Sequence, residues 1–374
     1  MTWFLLFPLW IAGFAVPLKE PRNSSIVSTD SLIQIDGPFI LYRDDKIFSR
    51  YILENGYEKT VQTDSFSLAQ KNELSFRVST DMPGKTFTVK LKSKLENEKS
   101  IYKKVSRMFV ISDMEGNFAA FRKILMANGV IDADFNWTFG DGHLVTVGDF
   151  FDRGYQVTEL LWLIYSLEEK ANAAGGHVHF ILGNHEIMNM SNDLRYLHAK
   201  YLQTTTLLQE PYYTLYSASS ELGRWLRTKN VMEKIGDVLF MHAGFSPEMN
   251  RMDVSIKEIN DLARPFYADT NYVYPDLRVD TIYSDLGPFW YRGYYKNDNR
   301  NKQQQVDSTL EKFGVKTIVH GHTIVADTIS SWFKNRVINI DVHHAAGKSE
   351  ALLIEDKKFY RLNAAGEKKL IFER

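Results

Sequence analysis

Between residues 108 and 186 the chain passes three times from a short apolar stretch into a turn carrying acid or amide groups. The apolar stretches are Met108-Phe109-Val110-Ile111, Leu144-Val145-Thr146-Val147 and Val178-His179-Phe180-Ile181-Leu182. Runs this short and this rich in branched residues read as buried strands. The first opens into Ser112-Asp113-Met114-Glu115-Gly116-Asn117, the second into Gly148-Asp149-Phe150-Phe151-Asp152-Arg153-Gly154, and the third into Gly183-Asn184-His185-Glu186. After the first turn, Phe118, Phe121, Ile124 and Leu125 mark one face of a helix that stops at Gly129. After the second, an amphipathic helix over 158–174 carries Leu160, Leu161, Leu163, Ile164 and Leu167 and stops at Gly175-Gly176. Asp113 precedes Asp149 by 149 − 113 = 36 residues, and Asp149 precedes Asn184 by 184 − 149 = 35, each the length of one strand-helix-strand crossover. Three strands therefore deliver Asp113, Asp149 and Asn184 to one sheet edge, the edge at which open α/β sheets bind ligands.

The pattern resumes downstream. Val238-Leu239-Phe240-Met241 ends in His242-Ala243-Gly244, Thr317-Ile318-Val319 leads to His320-Gly321-His322-Thr323, and Val337-Ile338-Asn339-Ile340 runs to Asp341. Two insertions interrupt it, 187–230 and 247–313, the first helical and rich in tyrosine, the second holding Trp290-Tyr291-Arg292-Gly293-Tyr294 and a polar run, 296–305, that reads as an exposed loop. Alternating segments after Ala351 predict closing antiparallel strands. Upstream, 31–102 carries period-two alternation around a Pro83-Gly84 turn, with Phe87, Val89 and Leu91 between Thr86, Thr88, Lys90 and Lys92, and reads as a small accessory β module. Residues 3–16 are almost wholly apolar, too short to span a bilayer, and include small residues at Gly13-Phe14-Ala15 at the spacing of a cleavage site. The first reading is a cleaved secretory signal over 1–15, hence a secreted or periplasmic protein; the competing readings are an uncleaved anchor and a buried N-terminal segment.

Composition narrows the chemistry. A formal net charge of −1 gives no global attraction to nucleic acid or to an anionic membrane, so nucleic-acid binding is not expected and phosphate affinity has to come from local groups; no stable membrane span is expected either, because the apolar stretch at 3–16 is too short. The absence of cysteine excludes thiolate nucleophiles, disulfides and zinc-thiolate sites. What remains is a set of oxygen and nitrogen donors from five strands: Asp113, Glu115, Asp149, Asp152, Asn184, His185, His242 and His322. Two divalent cations about 3.5–4 Å apart need such a set, with one carboxylate bridging to offset their repulsion. Asp149 is the natural bridge.

The ordered motifs, over about 105–345, resemble those of the calcineurin-like metallophosphoesterases, whose signature runs Asp-x-His, Gly-Asp-x-x-Asp-Arg-Gly, Gly-Asn-His-Glu, His-Ala/Gly-Gly and Gly-His-Thr. Asp-Arg-Gly and Asn-His-Glu point to the phosphoprotein phosphatase branch. Asn189-Met190, Asp193-Leu194-Arg195-Tyr196 and Trp290-Tyr291-Arg292-Gly293-Tyr294 resemble its bacterial Shewanella-like subgroup. The resemblance implies an α/β (α+β) fold, a four-layer α/β/β/α sandwich over 105–374 preceded by the β module. It implies a phosphoric monoester hydrolase, resembling protein phosphatases, with two divalent metal ions: Mn most readily, with Fe, Mg or Zn also admissible. Metal one would be held by Asp113, Glu115 and Asp149, metal two by Asp149, Asn184, His242 and His322, and a hydroxide bridging them would attack phosphorus. His185 is implied as general acid oriented by Asp152, and Arg153 and Arg292 as clamps on the phosphoryl oxygens of a phosphopeptide or small phosphate ester. The chain departs from the family at Glu115, where histidine is usual. A carboxylate there adds negative charge and hardness, which favours Mn, Mg or Fe over Zn and weakens activation of the bridging water. Two rival readings stand beside this one: a dinucleoside polyphosphate hydrolase, which shares the core motifs, and a non-catalytic binding protein that keeps the fold while Glu115 spoils the centre.

Overall fold

The computed structural model describes residues 32–296 and 302–374; the apolar N-terminal stretch read as a signal lies outside the described residues, as does 297–301 of the polar run. Two six-stranded sheets form the centre. In the first, Arg107–Ile111, His143–Val147 and His177–Ile181 run parallel, and Glu350–Glu355, Lys358–Asn363 and Lys368–Glu373 extend it from the Arg107–Ile111 side as antiparallel strands. The second places Ser330–Trp332, Val337–Asn339, Thr317–His320, Val238–Met241, Met232–Ile235 and Ile101–Tyr102 side by side in that order. Successive strand residues face opposite ways, and here both faces are covered. Met108, Val110, Val145 and Val147 of the first sheet meet Val238, Phe240, Val319 and Ile338 of the second in one apolar layer. Phe109, Ile111 and Leu144 face the other way, into the layer of helices Phe118–Ala127 and Val157–Ala173. That is why these strands are apolar throughout rather than alternating.

The N-terminal strands form a three-stranded antiparallel sheet, Ile33–Arg43, Lys46–Glu54 and Lys59–Ser67, and a hairpin, Ser75–Ser79 with Thr86–Lys90, in which Phe76, Val78, Phe87 and Val89 point inward. They pack on the helix Val157–Ala173. Trp162 donates its ring N–H to Pro38 O at 2.8 Å, and the backbone N–H of Lys92 donates to Tyr165 Oη at 2.8 Å. This helix is therefore buried on every side from Val157 to Leu167, whereas the leucine spacing alone predicts one apolar stripe. The end of the polar run also differs from its reading as a loop. A helix, Lys302–Phe313, begins inside it, and Gln305 is buried, donating to Phe245 O at 2.8 Å. The tyrosines of the first insertion are mostly core: Tyr201, Tyr212, Tyr216 and Trp225 are buried, while Tyr196 and Tyr213 are exposed.

One buried ion cluster fastens the N-terminal segment to this scaffold. Lys229 is 1% exposed, lies 2.6 Å from Glu168 and is paired with Glu98, while Lys92 lies 2.6 Å from the other oxygen of Glu168. Removing one partner of a buried pair leaves the other charge desolvated. Lys229→Met is accordingly expected to cost about 3 kcal/mol of unfolding free energy, with Lys92 still facing Glu168. Urea titration checks this; an unchanged midpoint contradicts it.

Candidate active site

The C-terminal edges of both sheets converge on one cleft. The first sheet brings Asp113, Asp149 and Asn184, the second His242 and His322. The turns that carry them are strained. Asp113, Glu115, Asp149, Asp152, Arg153 and His322 all have φ between +47° and +67°, a region that non-glycine residues rarely adopt and that clusters where function demands it. Neighbouring glycines let the turns close. A Cβ on Gly183 would lie 2.3 Å from Asp149 Oδ1, and one on Gly321 would lie 2.1 Å from Asp113 Oδ2. Glu186 braces the second turn by accepting the backbone N–H groups of Asp149 (2.9 Å), Phe150 (2.7 Å) and Gly183 (2.6 Å). Burial, and then Asp149, raise the Glu186 carboxyl to about 7.

His242 is the hub. Its Nδ1–H donates to Val147 O at 2.8 Å, which turns Nε2 toward the cleft. That one nitrogen lies 3.0 Å from Asn184 Oδ1, 3.1 Å from His322 Nδ1 and 3.1 Å from Asp149 Oδ2. A ring N–H can serve one such neighbour. A cation coordinated by all four groups satisfies them together, and atoms of Asp149, His242 and His322 lie within 4.8 Å of one another, as metal ligands do. Among the described residues, His322 Nε2 is buried without a hydrogen-bond partner. The electrostatics agree. Burial alone would lower the proton affinity of His242, but Asp149 and Asp113 lift it to about 10, because these carboxylates demand positive charge. Burial would raise Asp149, yet His185 and His242 hold it well below the usual carboxylate range. Asp113, buried and beside Asp149, is pushed up to about 6 even with His242 opposing.

Around this centre stand the other candidate residues. His185 Nδ1 lies 2.6 Å from Asp152 Oδ2, and its Nε2 lies 3.7 Å from Asp149 Oδ2. Burial lowers the proton affinity of His185, and the carboxylates of Asp149 and Asp152 outweigh burial and raise it. Arg292 donates to His322 O at 2.7 Å and Thr323 Oγ1 at 3.1 Å. Arg153 is half exposed and pairs with the carboxylate of Glu115. The two turns that carry Glu115 and Arg153 are stitched by backbone bonds, Glu115 N to Asp149 O (3.0 Å) and Gly154 N to Glu115 O (2.8 Å), so positions 115 and 153 are held side by side. The cleft has a volume of about 480 Å³, room for a phosphate ester of modest size. Its wall also includes polar residues outside the expected set, Asp341, His343 and His344. Asp341 carries the same signal as the others, an apolar strand ending in an acid. Arg195, exposed, is paired with Asp193 at 2.7 Å, and His320 is buried against Tyr295 Oη (2.6 Å) and Gly321 O (2.9 Å), a structural role.

Residues 106–326 match the calcineurin-like phosphoesterase family, more than half of the chain. The chain belongs to that family. Among solved structures it is similar to the cold-active protein-tyrosine phosphatase of a psychrophilic Shewanella species, with a TM-score of 0.81 and 34% identity over 90% of this chain and 99% of that one. Among sequences it is 30% identical to an uncharacterised protein of Schizosaccharomyces pombe over 63% of this chain and 72% of the relative. It is 24% identical to Shewanella-like protein phosphatase 2 of Arabidopsis thaliana over 67% and 74% respectively. It is thus a phosphatase-like metallophosphoesterase, a hydrolase related to the Shewanella-like protein phosphatases, with the α/β sandwich of the family and N-terminal β strands outside the matched region.

Proposed function

We propose that the protein is a divalent-metal-dependent phosphomonoesterase, secreted or periplasmic, that acts on phosphopeptides or small aryl phosphates. The carrying observation is the pair His185–Asp152 at 2.6 Å, placed at the rim of the Asp149–His242–His322 cluster and flanked by two arginines. Asp113 and Asp149, with Glu115 beside them, would hold one ion, and Asp149, Asn184, His242 and His322 the other. Bound there, such ions acidify a water and neutralise phosphoryl charge. Arg292, fixed by His322 O and Thr323, orients the phosphoryl group, and Arg153 grips it on exchanging the Glu115 carboxylate for phosphoryl oxygens. His185 hands the proton at one ring nitrogen to the leaving oxygen while Asp152 holds the other. No covalent link to the protein is needed.

Tyr196 supports an aromatic leaving group. It is 44% exposed, and its ring centroid is 5.3 Å from that of His185 and 5.3 Å from the Arg153 guanidinium. It offers a flat wall beside the acid. The test is a panel with Mn²⁺: phosphotyrosine and phosphoserine peptides, an aryl phosphate, its diester and a diadenosine polyphosphate. Monoesters should exceed the diester by about 10–100-fold, the value of charge-assisted contacts that only a dianionic group completes. Phosphotyrosine should exceed phosphoserine. A preference for the diester or the dinucleotide rejects the proposal.

A further inference from the structure

The strand Val337–Asn339 runs parallel to Thr317–His320 and ends at the same sheet edge as His322. Two residues on stands Asp341, 5% exposed, lining the cleft with Asp113, Glu115 and Asp149. Its backbone N–H is held by Asn339 Oδ1 at 3.0 Å, but among the described residues its carboxylate has neither a hydrogen bond nor an ion pair. Such a group costs free energy to bury unless something positive meets it. The turn that follows lies over the Asp113 turn: Asn117 Nδ2 contacts His344 O at 3.5 Å. Asp341 therefore shares the cleft wall with the Asp113 turn. On that side the carboxylate of Glu115 is committed to Arg153.

We propose that Asp341 is a metal-holding residue on the Asp113 side of the centre, supplying the oxygen donor that Glu115 withholds by pairing with Arg153. The inference rests on the reading of this cleft as a two-metal centre. It makes that side an all-carboxylate set, Asp113, Asp149 and Asp341, suited to a hard cation such as Mn²⁺ or Mg²⁺. Glu115 then acts differently, neutralising the guanidinium until a phosphoryl group displaces it.

The proposal is tested by Mn²⁺ titration calorimetry of the metal-free full chain, wild type against Asp341→Asn and Asp341→Glu. Wild type should take up two ions. Asp341→Asn should keep the ion of Asn184, His242 and His322 and bind the other at least about tenfold more weakly, with Asp341→Glu in between. The metal-free Asp341→Asn protein should melt at or above the wild-type temperature, since an unpartnered buried carboxylate is gone. Two ions bound by Asp341→Asn with wild-type affinity overturn the proposal. A lowered metal-free melting temperature also overturns it, since Asp341 is then a structural group. A wild-type protein that binds no Mn²⁺ refutes the metal-centre reading itself, a result distinct from failure at Asp341.

Discussion

Asp149→Asn is expected to abolish hydrolysis, lowering kcat/KM by about 10³-fold or more, while leaving the protein folded. In the proposed centre this carboxylate would be the point at which both halves meet. Its Oδ2 lies 3.1 Å from His242 and 3.7 Å from His185, and its Oδ1 accepts the backbone N–H of His185 at 3.0 Å. Asparagine keeps the shape and that backbone bond but removes the negative charge that two adjacent cations require. Metal-ion catalysis supplies several kcal/mol of charge stabilisation, and each 1.36 kcal/mol is tenfold in rate. His242 should also become a weaker base, because Asp149 is the chief group raising its proton affinity against burial. Metal analysis of the dialysed variant, with kinetics on an aryl phosphate, checks both parts. A variant that keeps its metal and its rate removes Asp149 from the centre.

His185→Asn is expected to act selectively. A general acid is worth about 10²–10⁴-fold when the leaving oxygen is basic and far less when it departs readily as an anion. Phosphoserine peptides should therefore lose about 10²–10⁴-fold in kcat, and a nitrophenyl phosphate much less. The pH profile should change as well. Asp149 and Asp152 raise the proton affinity of His185 above what burial would leave, so the acid form persists to higher pH and activity falls as pH rises through that titration. Asp152→Asn should move that falling limb to lower pH, and His185→Asn should remove it. Equal losses for all leaving groups, with the limb intact, would make His185 a positioning residue only.

The parts of this site that a sequence shows are those whose signal is local. A branched apolar run followed at once by Asp113, Asp149 or Asn184 is such a signal, and crossover length alone puts the three side by side. The parallel core, the antiparallel closing strands and the alternating hairpin at Phe87 and Val89 are legible in the same way. Other features depend on what packs where. The Glu115–Arg153 pair follows from backbone bonds between two turns, so a residue expected at a metal and one expected at a phosphate hold each other. Asp341 ends a strand as Asp113 does, but its approach to Asp113 depends on which sheet that strand joins. The helix Val157–Ala173 loses its polar face because the N-terminal strands cover it, and the tyrosines of 187–230 turn inward, which leaves Tyr196 beside His185.

A two-metal phosphomonoesterase is tested most simply by hydrolysis of an aryl phosphate monoester, using protein stripped with a chelator and then titrated with Mn²⁺. No turnover is expected in the stripped protein, and full recovery is expected near two equivalents of metal per chain. Undiminished turnover in chelator, or no turnover with Mn²⁺ or any other divalent ion, would contradict it.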